Sequence, residues 1–152
     1  NLVVVPSTGS LDHESVLEQL SLTPEEEKRW KVFEYIDAMG DVLAASDLVV
    51  SRAGASSLAE IMTLHVPAVL VPYPHARGDH QTLNAQSCVN VGAAELIADA
   101  DVEKQAFSDL IIELLSDAER RDTMAAACKK LSGSDARVRL ADIVIECAEK
   151  KS

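Results

Sequence analysis

The sequence predicts a doubly wound α/β domain, with one parallel sheet and helices on both its faces. Three observations predict it. Short β-branched runs alternate with stretches of helical periodicity along the whole chain. Successive strands are separated by single helices, which implies right-handed crossovers and parallel pairing. One strand also runs through a glycine into a string of small residues and a helix, Val49-Val50-Ser51-Arg52-Ala53-Gly54-Ala55-Ser56-Ser57.

In chain order, residues 2–5 read as the first strand, followed by a Ser7-Thr8-Gly9-Ser10 turn and a helix over 13–20. A polar connection at 21–28 carries an acidic stretch, 24–27, that reads as a solvated helix start. The second strand is 30–35, with a short helix at 41–45; the third strand is 47–51, followed by a helix over 56–64. The fourth strand is 68–71, and a loop at 72–79 opens a helix over 80–91. A fifth strand at 94–97 precedes three helical patterns at 102–115, 118–131 and 136–149. A nucleotide domain of this kind usually opens on a strand and a Gly-rich turn at the sheet centre, yet the turn after residues 2–5 has no G-x-G-x-x-G spacing. The expectation is that the chain begins one strand late.

Composition narrows the function classes. The 152 residues suit one domain. A mixture of 47% hydrophobic and 26% charged residues is that of a soluble globular chain. The longest apolar runs fall far short of the ~20 residues that a membrane span needs, and no basic-then-apolar leader opens the chain. A net charge of −11 argues against a nucleic-acid surface and against unaided docking on an anionic membrane. An anionic ligand would then be held by local donors, and backbone N–H groups at helix starts supply them. Cys88, Cys128 and Cys147 form no CxxC pair and match no histidine spacing. They read as reduced thiols, and no metal site is expected.

In such sheets ligands lie beyond the carboxyl ends of the strands, so the turns at 6–11, 36–40, 52–57 and 72–80 are the places to inspect. Gly54 permits close approach, and Ala55, Ser56 and Ser57 present free N–H groups at a helix start. Glu60 lies about 200° around that helix from Leu58 by the helical period. Leu58, Ile61 and Met62 can face the core while Glu60 faces the crevice, where its two oxygens could accept bonds from both hydroxyls of a ribose. Ser57-x-x-Glu60 equally fits a capping box, and both readings stand. Other positions carry alternatives too. Arg52 can pair with a phosphate or a nearby acid. Asn84 can support the helix start or touch a ligand. His75 is a loop contact or a functional group, and His13 and His65 read as solvated or structural.

These motifs, taken in order, resemble the MurG-type glycosyltransferases. The segment 49–55 with Glu60 is similar to that family's glycine-containing strand-to-helix turn, and Phe33-Glu34-Tyr35-Ile36-Asp37-Ala38-Met39 to the segment that ends its third strand. Pro67-Ala68-Val69-Leu70-Val71-Pro72-Tyr73-Pro74-His75, with Asp79-His80-Gln81 and Asn84-Ala85, resembles its sugar-binding loop, and Val91-Gly92-Ala93-Ala94 completes the likeness.

The resemblance implies the C-terminal, donor-binding half of a two-domain GT-B enzyme that moves N-acetylglucosamine from UDP-N-acetylglucosamine to lipid I, giving lipid II. It implies roles by position. The backbone at Ile36 holds the uracil edge, with Tyr35 and Met39 nearby. Ala55, Ser56 and Ser57 bind the diphosphate, with Gly54 in the same substrate-binding turn, and Glu60 takes the ribose hydroxyls. His80 and Gln81 contact the sugar, where the family usually carries two glutamines. A helix start can substitute for a cation, so no metal or other cofactor is expected. The resemblance also implies that the catalytic base and the lipid-linked acceptor site lie in an N-terminal domain absent here, and that the full enzyme works at the cytoplasmic face of the cell membrane. The chain alone is then expected to transfer no sugar, and exposed strand edges favour self-association. Two alternatives remain beside this reading. One is another UDP-sugar transferase of the same fold, from glycolipid synthesis or the dolichol pathway; the other is a nucleotide-binding module that works through a partner chain.

Overall fold

The computed structural model describes residues 2–132 and 144–148. The chain divides into two compact units, one ending at Met39 and the other beginning at Gly40.

In the first unit, two extended segments run side by side in parallel. Val4 pairs with Trp30 and Ser7 with Phe33, as isolated bridges rather than the two continuous strands expected at 2–5 and 30–35. Pro6 explains the break. The ladder runs from Val4 N–H to Arg29 C=O and from Lys31 N–H to Val4 C=O, both at 2.8 Å. The next donor along the first segment would be residue 6, and proline has none. Pairing resumes where Phe33 N–H reaches Pro6 C=O at 2.9 Å and Thr8 N–H reaches Phe33 C=O at 3.0 Å.

The helix α1, His13–Leu20, has the bounds that periodicity predicts. The acidic stretch after it forms turns, fixed by Glu26 Oε2 accepting from Thr23 N–H at 2.9 Å and from the Thr23 hydroxyl at 2.7 Å. Those bonds favour the ionised form and hold the Glu26 carboxyl below its ordinary pKa.

The second unit holds a three-stranded parallel sheet in the order β1-β2-β3, namely Val49–Ser51, Ala68–Leu70 and Ala94–Leu96. Helix α2, Met39–Ala44, precedes β1. Helices α3, Ala55–Thr63, and α4, His80–Asn90, make the crossovers between strands. Helices α5, Gln105–Ser116, and α6, Ala118–Ser132, follow the sheet. The expected pattern at 136–149 lies outside the described residues except for 144–148, which are helical.

The central strand β2 is fully buried, as a parallel strand covered on both faces must be. On one side Val69 meets Leu114 of α5 and Met124 of α6, with Leu48, Ile97, Phe107, Leu110 and Ile111 closing round them. The sharp corner between α5 and α6 is held from both sides. Asp117 Oδ1 accepts Arg120 N–H at 2.8 Å at the start of α6, while Arg121 Nη1 donates to Leu114 and Leu115 C=O at 2.7 and 2.8 Å.

Both crossover helices, α3 and α4, end in the same device. After α3, His65 turns left-handed with φ 58°, and its N–H and that of Val66 reach back to Met62 and Ile61 C=O. After α4, Gly92 turns left-handed with φ 83°, and its N–H and that of Ala93 reach Val89 and Cys88 C=O. These are Schellman closures, and the buried apolar residue past each turn leads straight into the sheet. A Cβ at Gly92 meets only the Ala127 methyl, at 4.0 Å, so space is available and the cost is conformational. Gly92→Ala is therefore expected to destabilise the fold by about 1–2 kcal/mol, the penalty of left-handed backbone for an L-residue. Urea titration followed by circular dichroism checks this, and an unchanged midpoint would contradict it.

Candidate nucleotide site at the carboxyl ends of the strands

The site begins where β1 ends. Ala53 is completely buried, and Gly54 follows as the residue before α3, extended at φ −68°, ψ 142°. Leu58 N–H closes the first helical bond on Gly54 C=O at 2.9 Å. The N–H groups of Ala55, Ser56 and Ser57 thus belong to the first turn and have no carbonyl behind them. All three residues are exposed, and no acidic side chain sits in that turn to offset the positive end of the helix.

Gly54 has an ordinary backbone conformation, and a Cβ there would meet only Ser57 Oγ, at 3.9 Å. Neither strain nor packing within the fold calls for glycine. What glycine leaves is an open approach to the helix start.

The expected division of α3 is present: Leu58, Ile61 and Met62 are buried, and Glu60 is exposed. The capping-box alternative fails. The helix begins at Ala55, so Ser57 is its third residue and cannot cap it. Glu60 is left with no capping duty.

The second wall is the β2–α4 loop. Gly78 and Asp79 are both left-handed, at φ 65° and 53°. The Asp79 conformation is costly for a non-glycine residue and is held by the Thr82 hydroxyl, which donates to Asp79 Oδ1 at 2.6 Å. Gln81, expected to touch the sugar, turns its oxygen inward. Its Oε1 accepts from Ala53 N–H at 3.2 Å and from Tyr73 N–H at 3.0 Å. Asn84 Nδ2 donates to Ala53 C=O at 3.2 Å. The bond is a structural one, made across to the turn before α3 rather than at the start of α4. His80 opens α4 on the exposed side.

Arg52 is also resolved. Its guanidinium pairs with Asp99, donates to Val71 and Pro72 C=O at 3.3 Å each, and lies 5.7 Å over the Tyr73 ring, which meets His75 edge-on. The acid-pairing reading is the realised one, and Arg52 joins the ends of all three strands. His65 serves the α3 closure, and His13 Nδ1 shares a 3.0 Å hydrogen bond with the Thr8 hydroxyl.

Tyr35, Ile36 and Met39 belong to the first unit. Tyr35 is 75% exposed and takes no part in the core. Among the described residues the Ile36 N–H makes no hydrogen bond, as a backbone edge open to a ligand requires. In the second unit, the residues from Gly54 to Glu60 and Gln81 are brought to one end of the sheet through Ala53. Sequence reading missed that Ala53 is the point held. The signal was present in Gln81 and Asn84, three residues apart and so on one helix face with buried Ala85 and Cys88.

Cys88 and Cys128 are free and buried, and burial raises both thiol pKa values, so neither has the character of a reactive thiolate. Among the described residues no cluster of His, Cys, Asp or Glu could hold a metal ion, and no helix is long and apolar enough to cross a membrane.

A parallel α/β sheet with an open helix start and an exposed carboxylate one turn on is the arrangement that nucleotide-binding α/β domains use. The chain belongs to the glycosyltransferase family 28 C-terminal domain, whose model matches residues 1–140. It is 42% identical over 146 residues to the UDP-N-acetylglucosamine–N-acetylmuramyl-(pentapeptide) pyrophosphoryl-undecaprenol N-acetylglucosamine transferase of Chlorobium limicola, covering 96% of this chain and 39% of that protein. A transferase of the same name from Leuconostoc citreum is 40% identical over 149 residues, covering 97% of this chain and 40% of that one. The chain thus spans about two-fifths of the length of these relatives. Among solved structures, Acinetobacter baumannii MurG superposes with a TM-score of 0.82 at 24% identity, over 95% of this chain and 43% of that one. A Listeria monocytogenes protein described as a UDP-N-acetylglucosamine 2-epimerase superposes at 0.53 with 18% identity, over 84% of this chain and 40% of that one. The fold is therefore shared beyond glycosyl transfer.

Proposed function

We propose that this chain is the donor-binding half of an N-acetylglucosaminyltransferase, taking UDP-N-acetylglucosamine and serving transfer to lipid I to form lipid II. The observation that carries the reading is the α3 start. Exposed N–H groups behind Gly54 are followed one turn on by the exposed Glu60, in a chain matched along nearly its whole length by transferases of that name. The helix start takes the diphosphate, Glu60 the ribose hydroxyls, the Ile36 backbone the uracil edge flanked by Tyr35 and Met39, and His80 and Gln81 the sugar.

In the reaction an acceptor hydroxyl attacks the anomeric carbon, the bond from that carbon to the diphosphate oxygen breaks, and UDP departs with the bonding electrons. The acceptor proton goes to a general base that the remainder of the enzyme supplies. The negative charge that builds on the leaving diphosphate falls at the α3 N–H groups, which stabilise it without a cation. The lipid-linked acceptor and the cytoplasmic membrane face belong to the same proposal.

Calorimetry with UDP-N-acetylglucosamine, UDP, GDP and GDP-mannose tests it. The uridine ligands are expected to bind and the guanosine ligands to bind at least tenfold more weakly, roughly the discrimination of one to two hydrogen bonds at the base edge. Equal affinity for UDP and GDP would remove the reading of Ile36, and no binding of UDP would remove the donor site altogether.

A further inference from the structure

The donor reading above leaves one arrangement unused, the grip of α4 on Ala53, and the inference drawn from it rests on that reading. We propose that Gln81 and Asn84 are positioning residues, which set the diphosphate-binding turn by clamping both backbone groups of Ala53 from the sugar-loop helix.

Ala53 lies two residues past the end of β1 and is fully buried. Its N–H and C=O are out of reach of the strand ladder, and buried backbone groups need partners. Both partners come from α4: Gln81 Oε1 at 3.2 Å for the N–H, and Asn84 Nδ2 at 3.2 Å for the C=O. The peptide plane after Ala53 carries the N–H of Gly54, and the helix start follows directly. Fixing both groups of Ala53 therefore fixes the direction in which the Ala55, Ser56 and Ser57 N–H groups point.

The same Gln81 oxygen also accepts Tyr73 N–H at 3.0 Å, so one atom joins the β1–α3 turn to the β2–α4 loop. That bond has a consequence for recognition. Both lone pairs of the oxygen are used, and toward a ligand Gln81 can only donate through its amide nitrogen. The sugar contact at Gln81 is with an acceptor oxygen, and the residue that makes it also orients the phosphate turn.

Asn84 separates positioning from contact with the transferred sugar when the ligands are UDP and uridine, which lack that sugar, because its amide nitrogen donates to Ala53 C=O. In Asn84→Ala the helix keeps a good former, while the Ala53 carbonyl loses its donor. Affinities for UDP and for uridine are measured by calorimetry in the same preparations, with thermal unfolding as the control. UDP affinity is expected to fall about tenfold, on the scale of one hydrogen bond, with uridine affinity within about twofold of the parent. Asn84→Ser is too short to reach Ala53 and is expected to behave like the alanine variant. A merely structural role lowers the binding-competent fraction and weakens both ligands alike, which would overturn the proposal, as would unchanged UDP affinity in both variants. Failure of the parent chain to bind UDP is a different result, one that overturns the donor reading and this inference with it.

Discussion

Glu60→Ala is expected to weaken UDP binding by about 1.5–3 kcal/mol, ten- to a hundredfold or more in dissociation constant, with the melting temperature unchanged. The structure makes this a clean experiment. Glu60 sits on the exposed face of α3, between the buried Leu58 and Ile61, and the helix it belongs to starts at Ala55 without its help. Removing the carboxylate takes nothing from the core and leaves no buried group unsatisfied. Alanine is, if anything, a better helix former. Affinity for UDP is read by calorimetry, and 2′,3′-dideoxy-UDP supplies the complementary arm. The parent chain should bind that analogue about as weakly as the variant binds UDP, and the variant should bind both ligands equally. An unchanged affinity for UDP together with a lower melting temperature would return Glu60 to a structural role.

Leu114→Ala is expected to cost about 2–5 kcal/mol of stability, the range for truncating a fully buried leucine. Leu114 is 0% exposed and lies between Val69 of the central strand and Met124 of α6. Its backbone carbonyl is gripped by Arg121, so the helix end cannot slide to fill the void. The loss is a large part of the 5–15 kcal/mol that holds an ordinary domain together. Denaturant titration measures it, and Ile112→Ala on the exposed side of the same helix, at 61% exposure, is the control, with a change expected within about 0.5 kcal/mol. A loss below about 1 kcal/mol at Leu114 would mean that the α5–α6 corner is looser than its hydrogen bonds describe.

Much of this architecture is legible in the sequence because it rests on local signals. Helical periodicity places α1 to the residue and sets the buried stripe of α3, and the apolar run before Val71 marks the central strand. The resemblance drawn from ordered motifs names the family that the whole-chain match then establishes. What sequence reading misses is decided across space. The first two strands shrink to bridges because Pro6 lacks a donor at the place where the neighbouring segment needs one, a fact of register that the proline alone does not reveal. Ser57-x-x-Glu60 has the spacing of a capping box, but the helix starts two residues earlier, behind Gly54, and the spacing loses its meaning. Arg52 pairs with Asp99, 47 residues further along, and the use of the Gln81 oxygen is fixed by backbone groups on two separate turns.

The left-handed closures at His65 and Gly92 carry a thermodynamic consequence for any ligand at the opposite ends of their helices. Each ties the tail of a crossover helix to the strand that follows through a short connection, residues 64–67 after α3 and 91–93 after α4, closed by its own backbone hydrogen bonds. With α3 locked at its tail and set at its head through Ala53, the helix start is preorganised before a ligand arrives. On the donor reading proposed above, a diphosphate at this helix start would bind with little loss of chain entropy, because no loop has to be ordered first.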